Sequence, residues 1–185
     1  GLTLERLAEQ PHGIDFGPLE PMLPGVLRTP SFKVEVAPEQ FVADLDRLAE
    51  LIDVEAPELV LVGRRHLRSN NSWMHNIEVL VKGKPRCTLQ VHPEDAARLG
   101  VDDGSEAVVT SSAGSVTAPV EVTDQVMAGV VSLPHGWGHD APGTRMSVAA
   151  TRPGVNSNVL TPTDTLDPLS GNASLNAIPV SVAPA

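Results

Sequence analysis

LVGRRHLRSNNSWMHN, residues 61–76, is the stretch on which the reading of this chain turns. It continues ELVLVG, residues 58–63, an apolar run bounded by glycine and too short for a buried helix, which reads as a buried strand. Past Gly63 the apolar pattern stops and a polar loop begins: Arg64, Arg65 and Arg68, then Ser69, Asn70, Asn71 and Ser72, and beyond Trp73 the step Met74, His75, Asn76. Guanidinium forks match phosphate oxygens, hydroxyls and backbone amides complete such a cradle, and carboxamides read the donor and acceptor edges of a heterocycle. The alternative is a solvated loop whose arginines pair with nearby acids. Net charge weighs on that choice. The chain carries 13 basic residues against 23 acidic ones, a net charge of −10 with a pI near 4.9, so three arginines between positions 64 and 68 are a local concentration. The same balance argues against general binding to nucleic acid or to an anionic membrane.

Outward from this loop the chain reads as short elements joined by turns. Upstream, PEQFVADLDRLAELI predicts a helix over 38–52, with Phe41, Leu45, Leu48 and Ile52 on one face. Before it, PHGIDFGPLEPMLPG, residues 11–25, is too rich in Pro and Gly for anything but a wrapping arm. Downstream, residues 73–81 suit a short helix, CTLQVH a strand, and PEDAARLG a helix opened by Pro93 and stopped by Gly100. SEAVVTSS and GSVTAPVEV alternate as a hairpin, GVVSLPHG adds a strand, and IPVSVAP closes the chain as the last one. Residues 136–176 carry few signals of either kind, and a loop of that length is functional or folds around something.

With 185 residues, 17 Pro, 15 Gly, 3% aromatics and no Tyr, the chain has the size of one domain and the composition of a turn-rich β protein. A lone cysteine, Cys87, excludes an internal disulfide, a Cys-rich zinc site and an iron–sulfur cluster ligated within these residues; it reads as a buried thiol and no metal ligand. No apolar run approaches the ~18 residues of a membrane span and GLTLERLAEQPHG lacks a signal-peptide core, so the expectation is a cytoplasmic protein with no membrane partner.

Taken in order, LVGRRHLRSNNSWMHN, HPEDAARLGVDDGSEAVVTSSAGSVTAPVEVTDQVMAGVVSLPHGWGH, NVLT and DPLSG resemble the C-terminal molybdopterin guanine dinucleotide-binding domain of the dimethyl sulfoxide reductase family of molybdenum and tungsten oxidoreductases. The likeness covers roughly residues 57–182. It implies a mainly β fold with short helices, a double-psi β-barrel of the aspartate-decarboxylase type over 57–185, preceded by a linker arm and helix over 1–56. It further implies that the chain is part of a formate dehydrogenase, nitrate reductase or sulfoxide reductase-like enzyme. There it would hold a bis-molybdopterin guanine dinucleotide carrying Mo or W, and be inactive alone. The metal ligand, and any iron–sulfur cluster, would belong to upstream domains of the same polypeptide, its partners.

By resemblance the cofactor-binding residues are Gly63 and Arg64 at the strand end, Arg65, the loop Arg68, Ser69, Asn70, Asn71 and Ser72, then Met74, His75 and Asn76 beside the pterin, and Asn158, Thr161 and Asp164 further on. His135 and Trp137 in PHGWGH would shape the barrel mouth; Gly136 and Gly138 argue against a helix that would let His135 and His139 share a metal. Arg145 and Arg152 are reserve phosphate contacts. RSNNS replaces the His and aromatic residues common in formate and nitrate enzymes, which leaves the substrate open. Two other readings stay in view. One is a non-catalytic double-psi barrel binding a peptide or protein partner; the other is a self-processing decarboxylase cut at Gly104-Ser105 or Gly114-Ser115, which the absence of Tyr weakens.

Overall fold

The apolar runs on either side of the 64–76 loop become strands of one curled, mixed sheet. The computed structural model describes residues 1–185 and divides into two units, Gly1–Ala49 and Glu50–Ala185. The second unit holds all seven strands: β1 (Val60–Arg64), β2 (Leu89–Val91), β3 (Glu106–Thr110), β4 (Ser115–Val122), β5 (Val130–Pro134), β6 (Ile178–Pro179) and β7 (Ser181–Pro184). Their order is β6-β1-β5-β2-β4-β3-β7. β1 runs parallel to β5, β2 parallel to β4, and the remaining pairs are antiparallel.

The two edges of that order come from one run of chain. β6 pairs with β1, β7 pairs with β3, and only Val180 separates them, its N–H donating to the Leu59 carbonyl at 3.1 Å. The sheet therefore curls until its first and last strands are consecutive residues, which leaves few open edges. Alternating residues face inward: Leu89, Val91, Val109, Val131 and Leu133 are fully buried, joined by Leu160 from a 3₁₀ turn over Ser157–Leu160.

Helix α5 (Pro93–Leu99) forms for the reasons its sequence supplies. His92 caps its N-terminus, with Nδ1 accepting from the Glu94 N–H at 3.3 Å, Pro93 occupies the first turn, and Gly100 ends it in the left-handed region at φ +69°. Asp95 ties it down. Its buried carboxylate accepts from Arg98 at 2.8 Å and from the Gly129 N–H at 2.7 Å, fixing the turn that starts β5.

Two helix expectations need correction. The predicted helix over 38–52 is two pieces, α2 (Glu39–Ala43) and α3 (Leu45–Glu50), parted at Asp44, whose carboxylate takes a forked pair of bonds from Arg47 at 2.7 and 2.5 Å. Its apolar face is left open: Phe41, Leu45, Leu48 and Ile52 are all exposed, as is α1 (Leu4–Ala8), and no residue of 1–49 is buried. Periodicity predicted the helix, and periodicity says nothing about whether a partner surface exists. Likewise the helix expected over 73–81 shrinks to α4 (Glu78–Val81), because residues 66–77 are spent in successive turns with Asn70 and Asn71 at φ +43° and +62°. No helix is long and apolar enough to cross a membrane.

Candidate functional site

Because β1 and β5 are parallel neighbours with Arg64 opposite Pro134, the chain leaves both strands on the same side, and Arg65 emerges beside His135. The His135 N–H donates to the Arg64 carbonyl at 3.3 Å. A cleft of ≈ 130 Å³ opens there, floored by Leu61 and Leu133 and walled by Gly63, Arg64, Arg65, His135, Ser157, Asn158, Thr161 and Asn176. Arg65 is aimed by its neighbour: Nη1 donates to the Asn71 carboxamide oxygen at 2.5 Å, and Asn71 reaches back from a left-handed turn that Asn tolerates better than most residues. Gly63 gives its N–H to Asn176 Oδ1 at 2.9 Å. The side chains of His135, Ser157, Asn158 and Thr161 make no hydrogen bond within the protein, so the wall holds unspent donors and acceptors. Burial, then the adjacent Arg65 charge, keeps the His135 imidazole below its ordinary pKa.

Arg64 faces the cleft with its stem and turns its guanidinium away. Nη1 donates to the Ser132 carbonyl at 2.6 Å, and Nη2 to the Thr88 carbonyl at 2.7 Å and to Thr88 Oγ1 at 2.9 Å. Thr88 in turn donates to Glu121 at 2.5 Å. This arginine is a strut across β1, β5 and β2. Its Nε alone is buried without a partner. Desolvation lowers its pKa, and Glu121 opposes the shift.

A second constellation sits behind the cleft wall. His75, 1% exposed, places Nδ1 2.7 Å from His139 Nε2 and Nε2 2.8 Å from Ser69 Oγ, and its ring stacks on Trp137 with centroids 4.0 Å apart. Burial, then the His139 charge, lowers the His75 pKa from 6.5 to about 4, so both rings are neutral at pH 7. Asn76 caps the next turn, its Oδ1 accepting from the Val148 and Ala149 N–H groups at 2.9 and 3.1 Å. A cavity of ≈ 460 Å³ lies between residues 81–87 and 151–154. The guanidiniums of Arg86 and Arg152 on its wall donate to the carbonyls of Leu80, Val81, Lys82 and Gly83, and so cap the C-terminus of α4.

The family described as "Molydopterin dinucleotide binding domain" matches residues 59–179. The chain belongs to that family. The dinucleotide-binding domain is 31% identical over 121 residues, 62% of its length, to the arsenate respiratory reductase molybdopterin-containing subunit ArrA of Chrysiogenes arsenatis. It is 30% identical over 160 residues, 84% of its length, to the Bacillus subtilis (strain 168) protein named Probable oxidoreductase YoaE. It spans 14% and 22% of those two proteins. Acetylene Hydratase from Pelobacter acetylenicus shares the fold at 23% identity, with a TM-score of 0.58 over 78% of the domain and 20% of that chain. The family match and these relatives identify the chain as the molybdopterin dinucleotide-binding domain of the dimethyl sulfoxide reductase family.

Of the residues singled out in the sequence, the domain brings Gly63, Arg64, Arg65, His135, Asn158 and Thr161 to the cleft. Ser69, His75, Asn76 and Trp137 lie in the constellation behind it, and Asn71 links the two through Arg65. Arg68 and Asn70 are exposed, Ser72 and Met74 half-buried, and none of the four lines the cleft. Asp164 is exposed and accepts only from Thr165 at 3.5 Å. Sequence reasoning missed Ser157 and Asn176 in the cleft and His139 behind it. Asn176 lies just before the last strand, but only the pairing of β6 with β1 sets it against Gly63, and no local pattern announces that pairing.

Proposed function

We propose that this domain holds the dinucleotide of a molybdopterin-dependent oxidoreductase, with the cleft beyond β1 and β5 as its seat. The carrying observation is the set of polar groups there: the Arg65 guanidinium, with donors left beyond its one bond to Asn71, and the Asn158 carboxamide, Thr161 hydroxyl and His135 imidazole, which bond to nothing within the protein. Such a set fits a phosphate-bearing heterocycle. When bound, the Mo or W of a bis-molybdopterin guanine dinucleotide supplies two-electron chemistry of the formate dehydrogenase, nitrate reductase or sulfoxide reductase kind; the relative named as an arsenate reductase adds that anion to the substrates worth testing. The chain's own part is binding and orientation. Arg65 forks onto phosphate oxygens, Asn158 offers both a donor and an acceptor to a ring edge, and Gly63, without a side chain, leaves the wall between Leu61 and Arg64 open. In this reading Arg64 supports the strands and Arg65 takes the phosphate.

The domain alone is inactive in this proposal, because the metal ligand and any iron–sulfur cluster belong to other parts of a longer, cytoplasmic enzyme. The ring closed by residues 178–184 supports a double-psi barrel. The exposed Phe41, Leu45, Leu48 and Ile52 support a linker arm seated on upstream domains. A protein-binding module fits less well, since Arg65, Asn158 and Asn176 converge in the cleft among Leu61, Leu133, Leu175 and Ile178, a lining suited to a polar-edged ring rather than to an apolar side chain. Calorimetry of the 185-residue chain with guanosine diphosphate tests the seat. Arg65→Ala should weaken binding about 10- to 100-fold, the ~1.5–3 kcal/mol of a hydrogen bond to a charged group, and Lys84→Ala, outside the cleft, should not. Equal binding by wild type, R65A and N158A would refute it.

A further inference from the structure

The Ser69–His75–His139 chain has no role in the binding scheme above, yet it is the most enclosed polar feature of the domain. Two imidazoles 64 residues apart in sequence share a 2.7 Å hydrogen bond, and a ring nitrogen of each neutral histidine must accept while the other donates. Either the Ser69 hydroxyl donates to His75 Nε2 and His75 Nδ1–H to His139, or His139 Nε2–H donates to His75 and His75 Nε2–H to Ser69. In both arrangements the central ring joins the loop after β1 to the loop after β5.

The surroundings turn this contact into a clasp of three loops. A Cβ on Gly136, at φ +85°, would lie 2.4 Å from the Asn71 carbonyl oxygen, and one on Gly138, at φ +101°, 2.6 Å from Asn156 Cβ. The 135–139 segment is thus threaded between the other two with no space to spare, and Trp137 stacks on His75 within it. Each loop then runs to the cleft: Arg65 lies four residues before Ser69, His135 four before His139, and Asn158 two after Asn156. The charged and titratable groups facing the pair are His66 and Arg86 around His75, and Asp140 beside His139.

We propose that His75 is the positioning residue of the cleft: its ring, bonded at both nitrogens, fixes the three loops whose ends present Arg65, His135 and Asn158 to the ligand. The proposal rests on the reading of that cleft as the dinucleotide seat, and its test separates the two. His75→Phe keeps the stack on Trp137 and removes both hydrogen bonds; His75→Gln restores a donor and an acceptor at that position. In hydrogen exchange, H75F should accelerate amides of all three loops, 64–76, 135–140 and 153–161, about tenfold together, with β2 and β4 unchanged and H75Q close to wild type. Guanosine diphosphate affinity should fall about tenfold in H75F and largely recover in H75Q. If H75F does not fold, His139→Leu, which cuts the bond between the two loops and leaves Ser69 bonded to His75, gives the same exchange readout. Acceleration confined to 64–76, or uniform across the domain, or no rescue by Gln, overturns the positioning role. If wild type binds no guanosine diphosphate the seat is wrong, and the exchange pattern still decides the clasp.

Discussion

Acidifying the domain from pH 7 toward pH 4.5 should destabilise it through imidazoles that the fold keeps neutral, His75 foremost. In the unfolded chain His75 titrates near its ordinary 6.5; in the fold, burial and then the His139 charge hold it to about 4. Between those values the unfolded state takes up a proton that the folded state refuses, so stability falls as pH falls, by ~1.4 kcal/mol per pH unit in mid-window and ~3 kcal/mol in all. Above pH 6.5 the neutral ring's contribution is fully present; below about 4 it is gone. Urea titrations at pH 7, 6, 5 and 4.5 on wild type and H75Q read the effect of the bonded His75–His139 pair, because His66 and His135 are common to both. The gap between the two proteins should narrow by ~2 kcal/mol from pH 6.5 to 5. Parallel loss of stability in wild type and H75Q over that range would refute the assignment of a buried neutral ring.

Other substitutions probe the frame around the cleft. Gly154→Ala should cost ~1–3 kcal/mol in a urea melt, since the backbone sits at φ +60° and the new methyl would lie 2.8 Å from Cys87 Sγ and from Trp137 Cε3. Leu133→Ala, at a fully buried position between β1 and β2, should cost ~2–5 kcal/mol by the same measurement. Burial would raise the Asp95 carboxyl, but bonds from Arg98 and the Gly129 N–H hold it below its ordinary value. Asp95→Asn should therefore destabilise at pH 7 by ~1–3 kcal/mol and lose that penalty as the medium is acidified below the carboxylate range. Cys87, buried and with its thiol pKa pushed up by that burial, should resist a thiol reagent at pH 8 until denaturant is added.

The strands were legible because each carries its own signal. ELVLVG and the Val-alternating hairpin are apolar runs between turn residues, and α5 has a cap, a Pro and a Gly in the right places; IPVSVAP, expected as one strand, is divided at Val180 into β6 and β7 because its two halves pair with different neighbours. What the residues alone did not disclose is who meets whom. Arg64 and Arg65 look interchangeable in sequence; their neighbours divide them, one facing the carbonyls of Ser132 and Thr88, the other Asn71 and open space. Nothing in the sequence joins His75 to His139, since a contact across 64 residues is a property of the parallel pairing of β1 and β5. The arm failed in the opposite way. Its helical period is clean, but nothing within residues 1–49 covers it.

The single-residue break at Val180 also governs assembly in time. Until Ile178 through Pro184 have left the ribosome, neither β1 nor β3 has its outer neighbour, and both present unsatisfied backbone while the more than one hundred residues between β1 and β6 are made. A nascent domain of this build cannot lock piecemeal. A stop codon just before Ile178 should leave a sticky, chaperone-bound product rather than a slightly shortened native one.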